Sequence, residues 1–340
     1  MKVLSLAVEG VLGAPNGEYA FSAPDDVPNP ITLVTGASGS GKSSLLRAIA
    51  VAKEAIGAYG APASASTVLQ RGRTEGRLHA RWLLTDGERL TETGEVRLPS
   101  IVETTIAIGS EGFDVATATP EVELDHLRAT FARYRAAPSA SKVELFPARR
   151  HLHPELWREL PGELDAVREA SLRLSLDPSK YGFVRRMFFD LVLAQGMRLQ
   201  HMLATEGIVV PSEELDLLAP HRRALARLTQ RLRLDHVEAG NAGQVAVWFA
   251  RPDGARIELA DLSDSEAQAV LFAATFQRQG LDDSLVLLDT PELHIPDVDQ
   301  AAFFDAVCSL GVNNQVIAAT SSRSILQRPG VAMIELGPSV

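Results

Sequence analysis

ITLVTGASGSGKSSLLRAI, residues Ile31 to Ile49, sets an apolar strand-like run against a helical run across a short segment rich in glycine and serine. Its centre, GASGSGKS from Gly36 to Ser43, satisfies G-x-x-x-x-G-K-[ST] at every fixed position. Leu45, Leu46, Ile49 and Ala52 recur at helical spacing through Ser44 to Ile56. The glycines let the backbone curl so that its N–H groups converge on phosphate oxygens, and the helix N-terminus adds partial positive charge there. Gly36, Ser38, Gly39, Ser40, Gly41, Lys42, Ser43 and Ser44 are therefore candidate ligands of a nucleoside triphosphate. Lys42 is the counter-charge for the β- and γ-phosphates, and the Ser43 hydroxyl is a candidate ligand of Mg²⁺.

A site of this kind also needs a carboxylate for the metal. Ser284 to Asp289, SLVLLD, is an apolar strand ending in one, so Asp289 is the candidate partner of Ser43. Just upstream, Leu259 to Gln268 reads LADLSDSEAQ. Within it, Ser263 followed three residues later by Glu266 is a capping box at a helix start.

The remaining pattern divides the chain into three blocks. Residues 1–150 read as an ATP-binding lobe with strands at Lys2–Val8, Tyr19–Ser22, Ile31–Thr35 and Ile101–Ile108. Val68–Leu98 reads as antiparallel strands around an Asp86-Gly87 hairpin turn. Residues 151–240 read as a helical insertion, with helical spacing from about Pro154 to Glu238. Residues 241–340 return to α/β: strands at Gln244–Phe249, Arg256–Leu259, Ser284–Leu288, Gln315–Thr320 and Val331–Leu336, with helices at Ser265–Gln279 and Gln300–Ser309. The expected class is an α/β P-loop fold with a mixed sheet core, an antiparallel β subdomain and an inserted helical lobe.

At these residues the chain resembles an ATP-binding-cassette ATPase head of the stand-alone branch that holds the SMC, RecF and OLD-like proteins. LLDTPELHIPDVDQ (Leu287–Gln300) is similar to that branch's LLIDEPELHLHPxxQ. Leu262-Ser263-Asp264-Ser265-Glu266 is similar to its LSxGE signature, Ala319-Thr320-Ser321-Ser322 to its last core strand, and KVELFPARR (Lys142–Arg150) to the strand and loop before its helical lobe. The resemblance covers both ends of the chain and hardly any of the middle. It implies Mg·ATP as cofactor and a homodimer that sandwiches two nucleotides, with Ser263 of one copy on the γ-phosphate held by Lys42 of the other. It also offers Gln70, on a strand-like segment, as a glutamine that contacts Mg²⁺.

Three positions depart from that pattern. The Glu that orients the attacking water is replaced by Thr290, the His of the last strand by Ser321, and the signature Gly by Ser265. A neutral hydroxyl does not accept a proton as a carboxylate does, and loss of general-base help costs about 10²–10⁴ in rate. Glu292 is the nearest alternative carboxylate, and His294 is retained. The expected behaviour is ATP binding and ATP-dependent dimerisation, with hydrolysis slow or completed by a partner.

Composition narrows the partners. A formal charge of −10 disfavours a nucleic-acid surface outside a local basic patch. His221–Arg233 is one candidate patch, with Arg223, Arg227 and Arg231 at i, i+4 steps, and a solvated helix flank beside Glu213 and Glu214 is the competing reading. Arg149 and Arg150 are candidates to reach phosphates or to form surface ion pairs, and His151 and His153 make a poor metal set. Cys308 reads as a core residue. No apolar run approaches the ~20 residues that span a bilayer, and the short N-terminal MKVLSLAVEGVL lacks a secretion signal, so a cytoplasmic location is expected. Two functions compete: an ATP switch or scaffold for a protein effector, and an ATPase acting directly on DNA in repair, maintenance or phage defence. A transporter ATPase subunit is a third, disfavoured by the PELH tail of the Asp289 strand.

Overall fold

The computed structural model describes residues 1–60, 64–90, 97–119, 122–132, 142–152, 172–206, 215–239 and 245–337. In chain order the strands are β1 (Lys2–Glu9), β2 (Gly17–Ala20), β3 (Ile31–Gly36), β4 (Gly76–Leu83), β5 (Ile101–Gly109), β6 (Gly112–Thr117), β7 (Val143–Phe146), β8 (Arg233–Ala239), β9 (Val245–Ala250), β10 (Arg256–Glu258), β11 (Leu285–Asp289), β12 (Gln315–Ala319) and β13 (Ala332–Leu336). The longer helices are α1 (Lys42–Ile56), α2 (Leu124–Ala132), α3 (Phe183–Glu206), α4 (Ala219–Leu228), α5 (Asp264–Gln279) and α6 (Gln300–Cys308).

A parallel sheet in the order β13-β3-β12-β11-β7 forms the centre. Its strands are apolar at nearly every position because both faces are covered. Leu285 and Leu287 of β11 join a core with α1 and the antiparallel sheet. Val286 and Leu288 point the other way, into a core with α5, α6 and part of α3. Val34 against Leu33 on β3, and Ile317 against Val316 on β12, repeat the alternation. Each wholly buried leucine of this kind contributes about 1.5–3 kcal/mol of apolar transfer.

The second sheet, β2-β1-β4-β5-β6, is antiparallel throughout. Gln315 ties it to the parallel one. Its amide accepts from Val3 N–H at 2.8 Å and donates to the carbonyls of Val3 at 2.8 Å and Phe21 at 3.2 Å. The third sheet is the antiparallel trio β10-β9-β8.

Most expected strands and helices stand within one or two residues of their expected ends. Two readings are corrected. Asp86-Gly87 is not a hairpin turn. It opens a helical turn, Asp86–Arg89, because Thr85 and Glu88 form a capping box in which the Thr85 N–H and hydroxyl both bond Glu88 at 2.8 and 2.9 Å. Arg233–Glu238 is strand, not helix. Thr229 turns extended and ends α4, after which Leu234 and Val237 register against Phe249 and Val247 of β9. Residues 153–171 and 207–214, with His153, Glu213 and Glu214, lie outside the described residues.

Candidate functional site

Gly36, Gly39 and Gly41 adopt φ of 145°, 80° and 93°, a region that L side chains avoid. A Cβ at Gly36 would lie 2.5 Å from the Leu336 carbonyl oxygen, and one at Gly41 would lie 2.4 Å from that of Gly13. The loop is thus wedged between β13 and the Gly13–Pro15 turn. Gly41 is the N-cap of α1, whose first turn carries no acidic residue, so nothing on the helix offsets its positive end. Lys42 Nζ folds back onto the loop and donates to the Gly36 and Ala37 carbonyls at 2.8 and 2.9 Å. Ser38 and Gly39 are exposed at the tip, and Ser44 packs beside Gly13. The Ser40 hydroxyl is buried under the loop without a hydrogen-bond partner among the described residues.

β11 ends on Asp289, which is only 8% exposed. Ser43 Oγ donates to Asp289 Oδ1 at 2.9 Å, and Thr290 Oγ1 donates to the same oxygen at 3.3 Å. Hydroxyl and carboxylate oxygens are the hard ligands that Mg²⁺ takes, and Mg²⁺ commonly uses only one or two protein carboxylates with phosphate and water. The described residues hold no group of three His, Cys, Asp or Glu side chains placed to hold a metal ion.

Beyond Asp289 the chain turns sharply. Thr290 is β-branched yet sits at φ 51°, and its N–H bonds the Ala319 carbonyl of β12 at 2.8 Å. The turn brings Glu292 under the loop after β12, where its Oε1 accepts from Ser321 N–H at 2.9 Å. Glu292 Oε2 is buried without a hydrogen-bond partner among the described residues. Thr290, Glu292 and Ser321 therefore meet at the same C-terminal sheet edge as Asp289. His294 is also left-handed, at φ 67°, and its Nδ1 lies 3.5 Å from Asp264 Oδ2 at the start of α5.

Ser263 caps α5 as its spacing predicts. Its N–H and hydroxyl bond Glu266 at 2.9 and 2.7 Å, and Arg251 grips the same carboxylate through both oxygens at 3.0 Å. Burial opposes the Glu266 charge, but the hydrogen bonds from Arg251 and Ser263 hold its pKa below the usual range. Ser263 is exposed. No hydrogen bond joins it to residues 36–43 of the same chain among the described residues.

No protein-family model matches the chain, and no curated protein matches it. Solved structures do. One is an SMC head bound to the C-winged helix domain of ScpA, with a TM-score of 0.53 and 15% identity over 97% of this chain and 96% of that one. Another is an SMC head with an extended coiled coil bound to the C-terminal domain of ScpA, from Pyrococcus furiosus, at 0.52 and 13% over 97% and 94%. The chain has the fold of an SMC head.

Within this SMC-head fold, several candidate residues stand elsewhere than expected. Gln70 is not on a strand. It follows the helical turn Ala65–Val68, is exposed, and its N–H bonds the Gly10 carbonyl at 3.0 Å. The arginine strip is broken. α4 ends at Leu228, so Arg231 leaves the helix and pairs with Asp299 at 3.3 Å, while Arg227 donates to the Ser309 carbonyl at 2.9 Å. Arg223 stays exposed on α4. Cys308 packs against the core as expected, and burial pushes its thiol up to about 12.

Arg150 is not at the surface. It is wholly buried, and burial pulls its pKa down against the opposing carboxylates of Asp289 and Glu292. Its Nε donates to Gln268 Oε1 at 2.8 Å, Nη1 to the carbonyls of Pro147 at 2.9 Å and Asp289 at 2.5 Å, and Nη2 to that of Thr290 at 2.9 Å. Gln268 Nε2 returns a bond to the Arg150 carbonyl at 3.0 Å. An Arg-Arg pair beside a loop has no sequence signal for burial, so only the packed structure reveals this. Gln268 carries no signal for the same reason. Arg149 remains exposed.

Proposed function

We propose that this chain binds Mg·ATP and works as a nucleotide-gated switch for a protein effector. The observation that carries the reading is the 2.9 Å contact between Ser43 and Asp289 at the mouth of a complete phosphate-binding loop. The curled backbone of residues 36–43 and the start of α1 offer N–H groups to phosphate oxygens. Lys42 leaves the Gly36 and Ala37 carbonyls for the β- and γ-phosphates, a swap of neutral acceptors for charged ones that favours the bound state. Ser43 and Asp289 are the residues that would hold Mg²⁺, which offsets phosphate charge when bound.

Hydrolysis is proposed to be slow. The Thr290 hydroxyl bonds Asp289 and has no carboxylate to take a proton. Glu292 is the nearest substitute: one oxygen is held by the Ser321 N–H, and the other has no partner among the described residues. In this reading Glu292 and Ser321 together orient a water, with less basicity than the usual Glu and His. Exposed Ser263 at the head of α5 supports an ATP-sandwiched homodimer in which it meets the partner copy's nucleotide. The structurally similar SMC heads were solved with ScpA bound, which supports a protein effector here too. Use of Arg227 and Arg231 in contacts within the chain weighs against direct action on DNA through that strip.

The test is calorimetric titration with Mg·ATP, then size by light scattering with and without it. Binding that Lys42→Ala abolishes, and a doubling of mass on ATP addition, are expected. Unchanged affinity in Lys42→Ala would sink the reading.

A further inference from the structure

Arg150 is a buried cation that makes no hydrogen bond to a carboxylate among the described residues. Its donors go instead to four oxygens on three segments: its own loop, the end of β11, and α5. The bond returned by Gln268 closes a ring between that loop and α5. Beneath the guanidinium lies the Phe272 ring, 5.4 Å away. Asp264, Gln268 and Phe272 are spaced i, i+4, i+8 and so share one face of α5. That face touches the segment after Asp289 through Asp264 with His294, and reaches the Asp289–Thr290 turn itself through Gln268 and Arg150.

A guanidinium is planar and presents its donors in a fixed fork. Moving one of its acceptors therefore moves the others or breaks a buried bond. The Thr290 turn, already at an unfavourable φ, is held from one side by Ala319 and from the other by Arg150. Ser263, one turn and a half before Gln268, caps the same rigid helix.

We propose that Arg150 is a positioning residue that couples the Asp289–Thr290 turn to α5, so that the state of the phosphate site sets where Ser263 is presented. The role in nucleotide sandwiching rests on the reading above; the mechanical coupling itself does not.

Gln268→Met tests it, since it removes both polar partners of Arg150 on α5 and keeps the side chain's bulk. In the first arm, amide hydrogen exchange is followed in nucleotide-free protein. Exchange is expected to rise about tenfold in both 264–268 and 290–295, the equivalent of one hydrogen bond to a charged group, with β3 and the start of α1 unchanged. Wild-type exchange at 290–295 overturns the coupling. In the second arm, ATP affinity of the protomer is expected to stay within about threefold while ATP-driven self-association weakens about tenfold. Equal loss of both, or loss of neither, overturns the link to sandwiching. Gln268→Glu, whose carboxylate still accepts from Arg150 Nε but has no donor for the Arg150 carbonyl, is expected to give both readouts between those of Gln268→Met and wild type, and readouts no better than those of Gln268→Met also count against the proposal. If Gln268→Met does not fold, Gln268→Asn, one methylene short of Arg150, replaces it. A wild-type protein that binds no ATP sinks the triphosphate reading, and the exchange arm then decides the coupling alone.

Discussion

Ser43 Oγ and Asp289 Oδ1 lie 2.9 Å apart although 246 positions separate them in the chain. β12 sits between β3, which delivers the loop before Ser43, and β11, which delivers Asp289. The parallel register of all three strands sends both residues to the same sheet edge.

Removing either partner should separate metal from nucleotide. Asp289→Asn is expected to keep the fold, since an amide still accepts from Ser43, yet to lose most Mg²⁺-dependent tightening of ATP binding. The loss of a charged ligand should cost about tenfold or more in affinity. Titrating ATP with and without Mg²⁺ checks this. Wild-type magnesium dependence in the Asp289→Asn variant would remove Asp289 from the site.

Thr290 carries two opposed expectations. Thr290→Glu supplies a carboxylate at the position proposed to lack a general base, so phosphate release should rise by about tenfold or more. Thr290→Gly removes a β-branched side chain from φ 51°, a conformation that costs on the order of 1–3 kcal/mol. It should raise the melting temperature and leave turnover low. Thermal melts and a phosphate-release assay on both variants separate the strain from the chemistry.

The loop glycines should differ in what they tolerate. Gly41→Ala places a methyl 2.4 Å from the Gly13 oxygen, against backbone that has little room to move. ATP binding should fall below detection, with Gly39→Ala less harmful because nothing lies within 4 Å of its Cβ. Equal tolerance at the two positions would contradict the wedged loop.

His221 sets a pH dependence. Burial beside Phe188 pulls its pKa from 6.5 to about 4, so the folded chain keeps the ring neutral. Above pH 6.5 both states are neutral and the group contributes nothing to the pH slope. Between 6.5 and about 4 the unfolded chain takes up a proton that the folded chain refuses, so stability falls as pH falls, by up to about 3 kcal/mol. Urea unfolding near neutral pH and again at about pH 4.5, inside that window, should show a smaller drop for His221→Phe than for wild type.

Local chemistry made the phosphate loop, the β11 run into Asp289 and the Ser263 capping box legible from sequence. Each is set by neighbours a few residues apart: glycine's access to positive φ, the apolar run of a strand buried on both faces, a side chain reaching its own helix. Local patterning failed where a distant partner decided the outcome. Arg233–Glu238 has charges at helical spacing but is strand because β9 offers a register. Asp86-Gly87 is a different case: its turn chemistry is outweighed by a local capping box of Thr85 and Glu88, and the segment is helical. Arg150 reads as a surface cation until four oxygens from three segments close around it. The sequence alone thus determined that a strand-to-helix loop with the G-x-x-x-x-G-K-[ST] pattern exists, where it starts, and that Asp289 is the carboxylate to pair with it. Only the tertiary structure brought Asp289 to Ser43 and buried Arg150 against the end of β11, because those contacts depend on sheet order and packing, which no short window of sequence contains.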